Sequence, residues 1–431
     1  MTQQAQTATA CAVTPPDKEE NRSGTFIDNL KLPVHRWFRY SAGFSAEWVE
    51  DVLSALDLAE TSLIFDPFAG SGTVLLSADK LHLPSIGIEA HSFVARIAKA
   101  KMLWGTPVTD FIEKSQTVFE TALTIEDGHD EYPELIGRCF SEETLRHLDN
   151  LKRAWLRLDD QSSASELTWL AITSILRPSS SAGTAQWQYI LPNKTKKVIT
   201  EPLEAFQAQA ELMQEDMRLL QGLQPGSFAS VVYGDARNCP TVQPESVDVV
   251  ITSPPYANNY DYADATRFEM SFWGEVSSWG DLHAAVRKDL IVSSAQHASL
   301  ERLVLDKVLQ QDVLMPIHLE ITEVCQTLAE ERLLHGGKKH YHTMIAAYFA
   351  DMAKVFLALR RVCKPEALLC FVIGDSAPYG IYVPVDEWLG RLAIAAGFGN
   401  FRFEKLRDRN TKWKNRKHRV PLHEGILWIN E

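Results

Sequence analysis

Short β-type runs recur along this chain, and each borders a stretch of helical periodicity. Residues 62–66 (SLIFD) precede a helix predicted over 73–81, and residues 85–89 (SIGIE) precede a helical 91–103. Further strands are predicted at 229–235 (ASVVYGD), 247–253 (VDVVITS) and 368–375 (LLCFVIGD), the last between helical patterns at 348–363 and 385–396. Runs this apolar leave no polar face for solvent, so the strands must be covered on both sides. Strands alternating with helices meet that demand as a doubly wound, mostly parallel α/β sheet of Rossmann-like type. Two late strands, at 400–406 and 425–429, lack a helix between them and are read as a C-terminal antiparallel hairpin on the sheet edge.

Two long segments, 105–226 and 277–340, break this rhythm with helical insertions. The first contains a Ser/Pro/Gly-rich patch at 178–183, and the second carries Gly336-Gly337 near its end. A chain of 431 residues, 45% of them hydrophobic, can bury a large core and carry such insertions. The polar residues 1–24 lack the basic start and apolar centre of a secretory signal and read as a disordered leader. No apolar run reaches the roughly 18 residues that span a bilayer. These features predict a cytoplasmic protein with no membrane partner. The six cysteines form no C-x-x-C pair, which argues against a disulfide framework or structural zinc. His335, His340 and His342 cluster without a matching acid or thiol set, so no metal site is predicted.

The net charge of −13 opposes simple adhesion to nucleic acid. The charge is uneven, however, because residues 402–419 hold nine Lys or Arg against two acids. A basic face on an acidic body fits a nucleic-acid partner, and a solvated tail is the alternative.

Chemistry concentrates where the predicted strands end. Asp66-Pro67-Phe68-Ala69-Gly70-Ser71-Gly72-Thr73 joins the first strand to its helix. Gly70 and Gly72 permit a tight turn and close approach of a ligand to the backbone. The helix start offers free N–H groups, and ligands of such sheets bind beyond the carboxyl ends of the strands. Glu89 closes the second strand, where its carboxylate can accept both hydroxyls of a ribose. Asp235, followed by Ala236, closes the third, where it can accept from an adenine amino group. A helix cap or turn role is the plain alternative for either acid. No G-x-x-x-x-G-K-[ST] loop is present, which argues against a nucleotide triphosphatase.

The fourth strand ends in Ser253-Pro254-Pro255-Tyr256. Two prolines after a buried strand fix the backbone and remove two donors, so carbonyls face outward. An exocyclic base amine is a poor nucleophile because its lone pair is delocalised into the ring. The Ser253 hydroxyl and the Pro254 carbonyl can accept its hydrogens and favour a tetrahedral nitrogen. Catalysis of that kind is positioning and electrostatics. Tyr256 offers an aromatic face to a base turned out of its helix.

With these residues in place, the chain resembles the S-adenosylmethionine-dependent amino-methyltransferases that modify DNA at cytosine N4 or adenine N6. D-P-F-A-G-S-G-T is similar to that family's cofactor motif, and S-P-P-Y to its catalytic motif. The resemblance implies S-adenosylmethionine as cofactor and DNA as substrate. In that family a Ser at the first catalytic position goes mainly with cytosine N4, and an Asp with adenine N6. The stretch from His35 to Tyr40, with Phe44 and Ser45, is similar to the N-terminal motif that packs on the methionine end of the cofactor. By this resemblance Trp37, Tyr40, Phe44 and Ser45 join the cofactor set. The triplet Gly374-Asp375-Ser376, the Gly397-Phe398 turn and the late basic hairpin also match. The similar regions cover about half the chain, and the insertion between the second and third strands is a departure from the pattern. The resemblance further implies restriction-modification or a related anti-phage role, with cognate restriction or defence proteins as partners.

The chain then divides into a leader (1–24), a cofactor half of the core (25–104) and a first insertion with a possible role in target recognition (105–226). A core segment with the catalytic loop (227–276), a second insertion (277–340) and the remaining core with its basic hairpin (341–431) follow. Substrate contacts are expected from Asn258 and Tyr260 beyond the catalytic motif, from Trp187 and Gln188 in the first insertion, and from Arg407, Lys412 and Lys414 in the tail. The plain alternatives are loop packing for Asn258 and Tyr260, surface packing for Trp187 and Gln188, and a solvated hairpin for the tail. The rival functions are methylation of adenine N6 or of an RNA base, and a non-catalytic sensor that binds cofactor and nucleic acid.

Overall fold

The structure is a computed structural model, and it describes residues 28–430 apart from 41–42, 127, 186–187, 225, 259, 297–303 and 410–419. The expected leader and Cys11 therefore lie outside the described residues, as do Trp187, Lys412 and Lys414.

The strands are β1 (Ile64–Asp66), β2 (Ser85–Glu89), β3 (Ala182–Thr184), β4 (Ile190–Thr195), β5 (Ala229–Tyr233), β6 (Val247–Thr252), β7 (Cys363–Gly374), β8 (Asn400–Arg409) and β9 (Leu422–Asn430). Seven of them form one sheet in the order β5-β2-β1-β6-β7-β9-β8. The five from β5 to β7 run parallel, while β9 pairs antiparallel with both β7 and β8. The hairpin thus adds to the edge with its last strand innermost. This is the α/β, doubly wound, Rossmann-like architecture expected from the strand–helix alternation.

Side chains alternate between the two faces of a strand, and two hydrophobic cores follow from that. Ile64, Val249, Ile251, Cys370 and Val372 enter one core. Phe65, Val250, Leu369, Phe371 and Ile373 enter the other. The first core is covered by helices Ala46–Ser54, Thr73–Lys80 and Ser92–Met102 and by the first insertion, whose helix Ser163–Ser179 is almost wholly buried. The second is covered by helices Tyr341–Val362 and Val385–Ala395, with His318–Leu334 of the second insertion. Helix Tyr341–Val362 is long and apolar enough to cross a membrane, so the sequence reading that no run reaches this length is corrected. The helix is 89% buried over its apolar window, as a core helix is. The five described cysteines are free and buried.

The first insertion also contains a small antiparallel pair, β3 with β4, that its sequence pattern does not announce. Between these strands, Gln188 donates to the Arg39 carbonyl and the Tyr189 hydroxyl accepts from the Asp261 N–H.

Candidate active site

The two motifs start side by side because β1 and β6 are neighbours, with Ile64 opposite Val249 and Phe65 opposite Val250. Asp66 is buried, and its Oδ1 accepts from the Phe68 N–H at 3.0 Å and from the Thr252 hydroxyl at 2.6 Å. It braces the cofactor loop against the residue that precedes Ser253, and burial pushes its carboxyl up to about 7. Gly72, at φ +89°, caps the helix Thr73–Lys80 in a left-handed conformation, and a Cβ there would sit 2.9 Å from the end of Met102. Glycine is the residue that meets both demands. Phe68, Gly70 and Ser71 are partly exposed on the loop, while Pro67 and Thr73 are buried.

Glu89 ties the loop to β2. Its Oε2 accepts from the Gly70 N–H and its Oε1 from the His91 N–H, each at 2.8 Å. The carboxylate keeps acceptor capacity beyond these bonds, which is what the two hydroxyl donors of a ribose diol require. Burial pushes this carboxyl up to about 7 despite those hydrogen bonds. Tyr40 is buried, and burial, reinforced by the nearby charges of Glu89 and Tyr262, drives its phenol well above the ordinary value. That influence joins the N-terminal motif to the cofactor loop and to the segment after the catalytic motif.

The other residues of the N-terminal motif do structural work. The Trp37 indole donates to Asp216 at 2.9 Å, and Arg36 grips the same carboxylate, so the motif is fastened to helix Pro202–Gln221 of the first insertion. Ser45 caps helix Ala46–Ser54, and Phe44 packs edge-on against Trp48. Asp235, expected to accept from adenine, takes the Arg237 guanidinium at 2.9 Å with its side chain 32% exposed. Ala236 behind it is buried.

The tetrapeptide Ser253–Tyr256 leaves β6 with Pro254 buried and Ser253, Pro255 and Tyr256 partly exposed. The Ser253 hydroxyl donates to the Val372 carbonyl of β7 at 3.3 Å. It also hydrogen-bonds with the Tyr256 hydroxyl, whose pKa burial raises far above normal. The Arg409 guanidinium stands 5.0 Å from the Tyr256 ring centroid. It is held by the Asp375 carbonyl at 2.8 Å and passes over Gly374, where a Cβ would meet its Nη1 at 2.5 Å. The C-terminal hairpin therefore brings an arginine to the ring of Tyr256. A glycine ending β7 opposite a basic hairpin is the signal that could have found it.

A chain with this strand order and these paired motifs is open to comparison with known proteins. The sequence profile of an N6/N4-type family described as DNA methylase matches residues 13–100. Over 459 residues the chain is 26% identical to Type II methyltransferase M.BsoBI of Geobacillus stearothermophilus, covering 93% of this chain and 86% of that one. It is 24% identical over 404 residues to Type II methyltransferase M.AvaI of Nostoc sp. and of Anabaena variabilis, covering 87% of this chain and 81% of theirs. The chain is thus similar to DNA methylases of the N6/N4 type and to Type II methyltransferases along most of its length.

The residues expected to contact substrate divide. Tyr260 is buried, with its ring 4.3 Å from that of Tyr262. Asn258 is partly exposed on the loop at φ 61°. Gln188 is buried rather than presented for base reading. Its amide donates to the Arg39 carbonyl at 2.8 Å, and its own carbonyl accepts from Arg177. Arg407 is paired with Glu424 at 2.8 Å. Asp375, Asp386 and His423 gather ligand atoms within 4.8 Å of one another, but His423 Nδ1 already contacts Asp375 Oδ2 at 2.7 Å. A separate cavity of about 830 Å³, bordered by Met102, Thr106, Asp110, Lys114, Asp160 and Ser163, includes none of the motif residues.

Proposed function

We propose that this methyltransferase binds S-adenosylmethionine and methylates cytosine N4 in DNA. The observation that carries the reading is the Ser253 hydroxyl. Its proton is directed to Val372, so its oxygen faces the loop as an acceptor beside the Tyr256 ring. A serine there suits the amine of cytosine, and the DNA-methylase profile supports DNA as the substrate.

Phe68, Gly70, Gly72, Glu89 and Asp235 would hold the cofactor, with Tyr40 walling the site. Bound there, S-adenosylmethionine supplies an electrophilic sulfonium methyl. Glu89 accepts the ribose hydroxyls through the lone pairs that Gly70 and His91 leave open. Tyr256 stacks on the extruded base. Ser253 and the Pro254 carbonyl accept the amine hydrogens and turn the nitrogen lone pair toward the cofactor side. Arg409 shields the other side of the ring system from water. Arg407, Lys412 and Lys414 meet phosphates, which position the duplex without reading sequence. Target recognition is assigned to the first insertion, whose hairpin touches the catalytic segment. The enzyme is placed in the cytoplasm, paired with a cognate restriction or defence protein.

DNA from cells expressing the protein, digested to nucleosides and resolved by mass, is expected to contain N4-methylcytosine. Finding N6-methyladenine there, or methylated nucleosides in the RNA fraction, would replace the proposed substrate.

A further inference from the structure

The segment that follows Tyr256 is fastened at Asp261. Its carboxylate Oδ2 accepts from Nε and Nη2 of Arg287, at 2.9 and 2.5 Å, and both side chains are under 5% exposed. Its Oδ1 accepts from the Ala263 N–H and caps the short helix Tyr262–Ala265. Its own N–H donates to the Tyr189 hydroxyl at 2.6 Å. Tyr189 belongs to the first insertion and Arg287 to the second, so the two insertions converge on the residue that ends the catalytic loop. A third tie follows, where Arg177 of the first insertion donates to the Ala265 carbonyl and pairs with the buried Glu269.

Burying an ion pair costs several kcal/mol of desolvation per ion, and replacing one with packed apolar groups is often neutral or better for stability. What a two-donor guanidinium fork supplies is direction. Here that direction is guarded, because the Trp279 ring covers the guanidinium at 4.0 Å. The loop it anchors includes Asn258 at φ 61°, a left-handed conformation that the surroundings must hold in place. Released at Asp261, such a loop would relax and carry Tyr256 with it.

We propose that Arg287 is a positioning residue for methyl transfer. Through Asp261, and against Tyr189 on the far side, it sets the catalytic loop so that Ser253 and Tyr256 hold the target base. This rests on reading Ser253–Tyr256 as the base-holding loop.

The test uses the full-length protein with the paired variant Arg287→Met/Asp261→Asn, which leaves no orphan charge and keeps a capping side chain. Tyr189→Phe keeps the ring and removes the hydroxyl, and it carries the test should the paired variant fail to fold. In both, kcat for methyl transfer to DNA is expected to fall about ten- to a hundredfold, with cofactor affinity and KM for DNA within about twofold of wild type. A folded variant with wild-type kcat overturns the proposal. So does a parallel loss in kcat, KM and cofactor affinity, which marks general loosening. Wild-type protein in the same assay separates the two ideas. If it is inactive on DNA the underlying function is wrong, whereas an active wild type with unaffected variants removes only the role of Arg287.

Discussion

Replacing Ser253 with alanine is expected to slow methyl transfer by about 10²–10³-fold, the usual cost of removing one preorganised polar group from a reacting centre. Cofactor binding should stay within about twofold, because the lost contact is made to the base amine as its nitrogen becomes tetrahedral. The geometry supports a specific rather than a structural loss. The Ser253 hydroxyl gives its proton to Val372 at the long distance of 3.3 Å, so little fold stability rides on it. Its remaining partner is Tyr256, which keeps its cation–ring contact with Arg409 in the variant. Single-turnover transfer of labelled methyl to DNA measures the effect. A rate within about threefold of wild type would remove Ser253 from the chemistry.

The second large effect is at Glu89. Glu89→Gln keeps the side chain's shape and one acceptor but loses the charge. Hydrogen bonds to a charged group contribute about 1.5–3 kcal/mol each, so S-adenosylmethionine affinity is expected to fall about ten- to a hundredfold. The pH dependence supplies an internal check. Burial raises this carboxyl from 4.5 to about 7, and hydroxyl donors favour its ionised form. Wild-type affinity should therefore rise between pH 6 and 8, with proton release on binding, and the glutamine variant should lack that rise. The stability of the ligand-free protein should move the other way. A folded pKa above the unfolded one contributes stability that is present below about 4.5 and lost as pH rises through about 7. Asp66, raised from 3.8 to about 7, adds in the same direction. Calorimetry in buffers of different ionisation heat reads the proton release, and thermal denaturation at pH 5 and 8 reads the stability.

The sequence exposes the central sheet because its inner parallel strands are largely apolar and each motif sits at a strand end. Strand β7 shows the limit. Its polar start, Cys363 to Ala367, includes Pro365 and pairs with β6 only across a register shift, so pattern alone begins the strand at 368. The β3–β4 pair escapes notice for a similar reason, since Ala-Gly-Thr is too short to show alternation. The site is legible where one local segment supplies the chemistry, as in Ser253–Tyr256 and the glycine loop. It is opaque where two distant segments meet. Nothing in the sequence places Arg287 on Asp261, and only Gly374 opposite the basic hairpin hints at Arg409 over Tyr256. Gln188 has the composition of a base reader yet is buried, because its turn is folded against the N-terminal motif. Arg177 did carry a signal, as a lone charge closing an apolar helical run that ends buried against Glu269.

A crystal of the protein soaked with S-adenosylhomocysteine gives the most direct measurement. The adenosine is expected along the glycine loop, with its ribose on Glu89 and its sulfur turned toward Ser253, where a bound base amine can come within about 3–3.5 Å of a transferred methyl. Ligand seated instead in the cavity between Met102 and Lys114, or a sulfur facing away from the S-P-P-Y loop, would contradict a single pocket that joins methyl donor and base.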